Sequence, residues 1–365
     1  MEDKRRFIFV ATGDVGVNRD NCDSMFDGVR DVLNQADLVF GDCESPITNR
    51  GSPLPQSRLA ICSPPRSADA IRRAGYDIMT FANNHCMDYG IEGFTDTLEN
   101  LRRVGILQVG AGNNIEDARK PVIWTLDDGT KLGFLAYSSI CPQNFWADDL
   151  HCGFAPMRAL TAFEAQEHDQ PETAQNVFSF PHPEDLDAML SDIQKLRSKV
   201  DILILSLHWG VHFTPASLGW YQRYISYFAV NAGVDIILGH HAHIMKPIEV
   251  YKGVPIIYCM PNFAFEGPQV YSPIPLEDRK EHAVIAARNP ETAKNPKKQM
   301  PTDSYKSFFV KCIIEKKRIQ KVSICPCQLD DVDCRPEVLH REDPRFQDIY
   351  QYLLLSENGN TTVYW

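Results

Sequence analysis

The sequence predicts an α/β protein built around a mixed and largely buried sheet. Short runs of β-branched and aromatic residues alternate with stretches of helical period through the first two thirds of the chain. Core runs such as DILILSL and VDIIL are continuously apolar, as strands covered on both faces are. Asp128-Gly129 and Lys252-Gly253 separate adjacent strand-like runs and add antiparallel neighbours to the parallel ones.

In chain order, strands are expected near 7–12, 37–41 and 77–82, with helices near 24–35, 66–74 and 92–103 between them, the rhythm of βαβ units. Residues 120–126 and 131–138 form a hairpin across Asp127-Asp128-Gly129, where glycine supplies the positive φ of a tight turn. The segment 140–182 holds aromatics, Pro, Asp and His without period. It is long for a plain connection and reads as a lid or binding insertion, closed by a helix over 184–198. Strand 201–207, helix 219–231 and strand 234–238 repeat the βα rhythm, and 246–250 pairs with 254–259. Residues 268–304 read as an exposed excursion before a hairpin over 307–325 and a C-terminal extension over 326–365, all within a single domain spanning 1–365.

With 365 residues, 44% of them hydrophobic, and Pro and Gly thinly spread, the chain has the composition of a folded domain rather than a disordered or collagen-like one. No apolar run approaches the roughly 18 residues of a membrane span. The apolar run after MEDKRR reaches Gly13 too soon for a signal peptide and reads as the first strand. A net charge of −11 without a visible basic patch argues against nucleic-acid and anionic-membrane partners. The 11 cysteines are scattered, some inside apolar runs, which suits reduced thiols and a cytoplasmic protein. Cys325, Cys327 and Cys334 lack the paired spacing of structural zinc. A Walker loop, a Rossmann glycine fingerprint and a nucleophile elbow are missing.

Five predicted strand ends carry ligand-type residues: Asp14 after FIFVATG, Asp42 and Glu44 after LVFG, Asn84 and His85 after IMTFAN, His208 after DILILSL, and His240, His241 and His243 after VDIILG. Strand ends are where an α/β sheet faces a ligand crevice. Taken singly, an Asp there is a helix cap, Asn83-Asn84 a turn and His208 a packed core histidine. Taken together, carboxylate, amide oxygen and imidazole from separate rigid elements make a divalent metal or phosphate site, with one or two ions of manganese, iron or zinc. Such a set suits metal-assisted hydrolysis. Arg19, or with less support Arg58, is a candidate clamp for an anionic substrate. Phe145 and Trp146 either wall a pocket or cover a core edge.

The segments GDVGVNR, ADLVFGDCESPIT, FANNHCMDYG, LHWG, GVDIILGHHAH, KPIEVYKGVPIIY and PNF resemble, in order and approximate spacing, the CapA-like family associated with poly-γ-glutamate synthesis, within the calcineurin-like metallophosphoesterase superfamily. The resemblance runs from about 6 to about 325. It implies a four-layer α-β-β-α sandwich of two mixed sheets with the metal site between their loop ends. It further implies Asp14 and His243 on a first metal, Asn84, His208 and His241 on a second, and Glu44 as the bridge with Asp42 as the near alternative. His85 would face the substrate and steady charge or protonate a leaving group, oriented by Asp88. His240 flanks the ligands, with direct involvement as the alternative. Departures are the missing histidine two residues after Asp14, His212 where the family commonly has glutamate, Pro261 before Asn262, and the lack of the N-terminal anchor that capsule-associated members carry. His212 either supplies an imidazole to a cation or lines the pocket, and it is placed with Asn262 in the substrate pocket. The expected function is metal-dependent hydrolysis of a small or oligomeric anionic ester or amide, phosphoester or γ-glutamyl-like. The alternative is a non-catalytic, accessory role in capsule polymer synthesis.

Overall fold

The computed structural model of the protein describes residues 6–55, 57, 59–170, 172–266, 283, 287 and 300–355. Its first sheet holds four parallel strands, β1 (Phe7–Gly16), β2 (Leu38–Cys43), β3 (Ile78–Thr80) and β4 (Leu107–Val109), joined through α1 (Arg30–Asn34), α2 (Arg66–Arg73) and α3 (Gly90–Arg103). Two short strands, β5 (Ala111–Gly112) and β8 (Gly153–Phe154), pair with each other, with α4 (Ile115–Ala118) after the first. In the second sheet β7 (Lys131–Ser138), β11 (Ile202–His208), β12 (Ile236–His240) and β14 (Val254–Ile257) are parallel. β6 (Val122–Thr125) and β13 (Ile248–Tyr251) close its edges as hairpin partners. A separate ribbon, β9 (Ala159–Ala165) with β10 (Gln175–Pro181), precedes α5 (Pro183–Arg197), and α6 (Trp220–Asn231) links β11 to β12. The first sheet is completed by β15 (Asn262–Phe265), parallel to the end of β1, and by antiparallel β16 (Lys306–Glu315), β17 (Arg318–Leu329) and β18 (Pro336–Val338), with α7 (Pro344–Leu355) after them.

The two-residue period of each strand decides which core a side chain joins. Along β7, Leu132, Phe134 and Ala136 point between the sheets, while Leu135 and Tyr137 point outward to α5 and α6. β11 and β12 divide the same way, with Ile202, Ile204, Ile236 and Leu238 inward and Leu203, Leu205, Leu207 and Ile237 outward. Phe134 stacks on Phe40 at 5.6 Å and meets Phe9 edge-on at 5.9 Å, so the sheets lie face to face. On the outer face of the second sheet, Met189, Ile193 and Leu196 of α5 and Ile225 and Ala229 of α6 recur at helical spacing and are buried. The result is the mixed two-sheet α/β architecture expected from the sequence.

Differences from that expectation have local causes. The helix expected over 24–35 is split into a 3-10 turn, Cys22–Phe26, and α1, because Gly28 passes so close to β18 that a Cβ there would lie 2.4 Å from the Pro336 carbonyl oxygen. The segment 140–182 is not one lid: its first half folds into the interior with Phe145 buried, and its second half forms the β9-β10 ribbon against α6, with Phe178 on Trp220 and Phe180 on Tyr224. The boundary drawn at 326 falls inside β17. The excursion expected over 268–304 lies outside the described residues except for 283, 287 and 300–304, and Arg58 lies outside them as well. Among the described residues no helix is long and apolar enough to cross a membrane.

Candidate metal centre

Strand parity builds the site. His208 and His240 are the last residues of β11 and β12, register partners in the parallel ladder, and share the inward face of Ile204 and Leu238. Asp42 shares the inward face of Phe40 on β2. In β1 the register slips between Ala11 and Asp14, a bulge that aims Asp14 at the space between the sheets. Gly13 is required there: a Cβ would lie 1.6 Å from the Pro261 carbonyl oxygen, which accepts from the Asp14 amide at 3.2 Å. Beyond β12 the chain turns through His241 at φ 91° and His243 at φ 54°, left-handed conformations that cost non-glycine residues about 1–3 kcal/mol and are kept mainly where a site needs them.

Among the described residues, three groups of side chains have potential ligand atoms within 4.8 Å of one another: Glu44, His208 and His241; Asp14, Glu44 and His243; and Asp14, Asp42 and His240. Asn84 joins the first, its Oδ1 lying 2.8 Å from His208 Nε2 and 3.1 Å from His241 Nδ1, while those two nitrogens are 3.2 Å apart. Glu44 is common to the first two groups, with Oε1 3.8 Å from His208 Nε2 and 3.5 Å from His243 Nε2. In the second group His243 Nδ1 lies 3.3 Å from Asp14 Oδ2.

A surrounding layer fixes these side chains. Asp42 Oδ2 is 2.8 Å from His208 Nδ1, and Asp42 Oδ1 accepts from Asn83 Nδ2 at 2.9 Å, so Asp42 holds the far side of a ring whose Nε2 faces Asn84 and Glu44. Asn262 Oδ1 is 2.7 Å from His243 Nδ1. His85 is partly exposed, its Nδ1 2.7 Å from Asp88 Oδ2. Asp88 is buried and also accepts from Ser57 Oγ at 2.6 Å and the Ile61 amide at 2.9 Å. His212 stacks on His241 with ring centroids 3.9 Å apart and, like His85, is half-buried.

Burial strains the charges. Both oxygens of Asp14, both of Glu44 and both ring nitrogens of His240 are buried without a hydrogen bond. Burial pushes the Glu44 carboxyl well above its ordinary range, and the neighbouring carboxylates of Asp14, Asp42 and Asp88 push it further. For Asp14 burial also raises the value, but the imidazoles of His240 and His243 more than reverse it and hold the group low. Burial pushes His208 and His241 down, against Asp42 for the former and helped by His212 and His208 for the latter. His208 and His241, held neutral beside the unsatisfied oxygens of Glu44, are a donor set a divalent cation fits, because the cation replaces the lost hydration of the carboxylate without asking either ring to protonate.

Arg19 is committed elsewhere. Its Nε donates to Glu266 Oε1 at 2.6 Å, and one terminal nitrogen donates to Glu266 Oε2 at 3.2 Å and to the Asp333 carbonyl, so the guanidinium expected to clamp a substrate is tied up internally. Phe145 is buried in the core, and Trp146 lies under the Arg158 guanidinium at 5.8 Å. Sequence reasoning missed Asn83, whose Oδ1 also accepts from the His85 amide at 3.1 Å. It also missed Lys246, which is buried and donates to the carbonyls of Thr214 and Ser217, bracing the loop that carries His212. A lysine within the apolar run HIMKPI was the available signal.

The sequence model of a family described as "Bacterial capsule synthesis protein PGA_cap" matches residues 9–267. Relatives include "PGA biosynthesis protein CapA" of Bacillus subtilis (strain 168), 28% identical over 67% of this chain and 57% of the relative. "Capsule biosynthesis protein CapA" of Bacillus anthracis is 26% identical over 68% and 56%. "Probable polyglutamine synthesis accessory protein Rv0574c" of Mycobacterium tuberculosis (strain ATCC 25618 / H37Rv) is 28% identical over 61% and 54%. The chain thus spans little more than half the length of these relatives. A solved structure, of a hypothetical protein from Thermus thermophilus, aligns with TM-score 0.46 at 14% identity, covering 89% of this chain and 99% of that one.

Proposed function

Because the chain belongs to the bacterial capsule synthesis protein PGA_cap family, we propose that its intersheet cluster holds divalent cations and hydrolyses an anionic ester or amide, either a phosphoester or a γ-glutamyl-like bond. The observation that carries this reading is the set of buried carboxylate oxygens on Asp14 and Glu44, without hydrogen bonds and facing imidazole nitrogens. Asp14 and His243 would hold one cation, Asn84, His208 and His241 another, and Glu44 would serve both. Bound there, the cations would supply Lewis acidity and an acidified water at neutral pH.

The remaining roles belong to the chain. Asp88 fixes His85 by its Nδ1, which leaves Nε2 to hold a proton for a leaving group. His212 meets the substrate, while Asn262 steadies His243 from behind. Asn84, His85 and His212, the half-buried members of the cluster, are an amide and two imidazoles, which suits an anionic substrate drawn to the cations. A cytoplasmic location is part of this reading, supported by the free cysteines scattered through the fold.

The test is turnover of phosphomonoesters, phosphodiesters and γ-glutamyl amides by chelator-stripped protein reloaded with manganese or zinc. His85→Ala is expected to keep its cations and lose about 10²- to 10⁴-fold in turnover, the range of a general acid. Absence of turnover on every substrate class by cation-loaded protein refutes the hydrolase. It would favour a second reading, an accessory role without catalysis, for which the mycobacterial relative's name as an accessory protein speaks.

A further inference from the structure

The third group of side chains reaches beyond the six ligands just assigned. His240 ends β12 on its inward face and is fully buried, with neither ring nitrogen in a hydrogen bond. Its Nδ1 lies 3.4 Å from Asp14 Oδ1, an oxygen that likewise lacks a hydrogen bond. The other Asp14 oxygen faces His243 at 3.3 Å, so one buried carboxylate stands between two imidazoles.

Both ring nitrogens of an imidazole are polar whichever of them carries a proton, and burying both unmet is costly. Were His240 present only to orient Asp14, its Nδ1–H would donate to Oδ1, yet the contact is long and lacks hydrogen-bond geometry. Packing explains the position no better: Ile236 and Leu238 on the same face of β12 are aliphatic, and the Phe40 ring lies 6.4 Å from the imidazole, at a tilt. A buried ring nitrogen and a buried carboxylate oxygen that face each other, both unsatisfied, have one common remedy, a cation shared by the two.

We propose that His240 is a further ligand, through Nδ1, of the cation held by Asp14. The proposal rests on the metal-site reading above and adds an imidazole to the site that would otherwise have only His243. It also separates the two histidines joined by a peptide bond: His240 serves the Asp14 cation from the strand, and His241 serves the other from the turn.

The test compares chelator-stripped wild type with His240→Leu by calorimetric titration of Zn²⁺. Two sites are expected in wild type. In the variant the Asp14 site weakens by about 100-fold or more, at or above the range for losing an outer partner, while the other site stays within about twofold. Two sites of unchanged affinity in the variant overturn the proposal and leave the hydrolase reading standing, whereas a wild type that takes up no Zn²⁺ overturns both. Should His240→Leu fail to fold, ring-nitrogen NMR of ¹⁵N-histidine-labelled protein decides the matter in an otherwise native chain, carrying His212→Gln to remove the neighbouring imidazole. Four histidines with a zinc-shifted nitrogen support the proposal, and three overturn it.

Discussion

Replacing Asp42 with asparagine probes how the metal centre is held. Asp42 contacts no cation in the assignment above; its Oδ2 lies 2.8 Å from His208 Nδ1 and its Oδ1 accepts from Asn83 at 2.9 Å. In Asp42→Asn one of these contacts must change sign. If the amide oxygen keeps Asn83, the new NH₂ faces His208 Nδ1, which then gives up its proton and moves it to Nε2, the nitrogen aimed at Asn84 and Glu44. If the amide flips, its NH₂ meets the Asn83 NH₂ instead. Losing the outer partner of a ligating histidine typically costs 10- to 100-fold in metal affinity, about 1.4–2.8 kcal/mol. Competition against a chelator of known affinity reads the loss directly, and the prediction is that only the site containing His208 weakens, by that amount. Affinity within about twofold of wild type at both sites would refute the outer-partner role. Loss of both cations would instead make Asp42 the shared ligand in place of Glu44.

Two further outcomes follow from the packing. Gly13→Ala should cost more than about 3 kcal/mol, the upper range of overpacking, because a Cβ would lie 1.6 Å from the Pro261 carbonyl oxygen; it should also release the cation at Asp14, and an unchanged melting temperature contradicts this. Lys246 is pushed down from 10.5 to about 8, chiefly by burial. Between those values the unfolded chain keeps a proton that the folded chain has shed, so stability rises with pH across that window. Relative to Lys246→Met, wild type should gain on the order of 3 kcal/mol between about pH 7.5 and about pH 10.5, read from urea midpoints. A fall over that range contradicts the buried ammonium.

Much of the fold was legible because burial on both faces leaves continuous apolar runs, which locate β7, β11 and β12 within a few residues. The β9-β10 ribbon was not: Leu160, Phe163, Val177 and Phe180 are all substantially exposed, so no alternation of polar and apolar residues marks it. In the site, residue types at strand ends were readable, but the division of labour was not. Asp42 and Glu44 are two residues apart at the end of one strand, and only the position of β11 separates a partner of His208 Nδ1 from a residue near both clusters. His240 was marginal because the expected strand stopped at 238, whereas β12 continues to 240 and its parity carries the ring inward. Arg19 pairs with Glu266, 247 residues away, a distance over which a single sequence offers no signal.

The central claim is that the space between the sheets binds two divalent cations. Elemental analysis of the protein purified without chelator tests it most directly, set beside His241→Ala and His243→Ala. The account predicts about two equivalents per chain in wild type and about one in each variant, lost from different sites. Wild-type protein that holds no cation, even after reconstitution with manganese, iron or zinc, would contradict it.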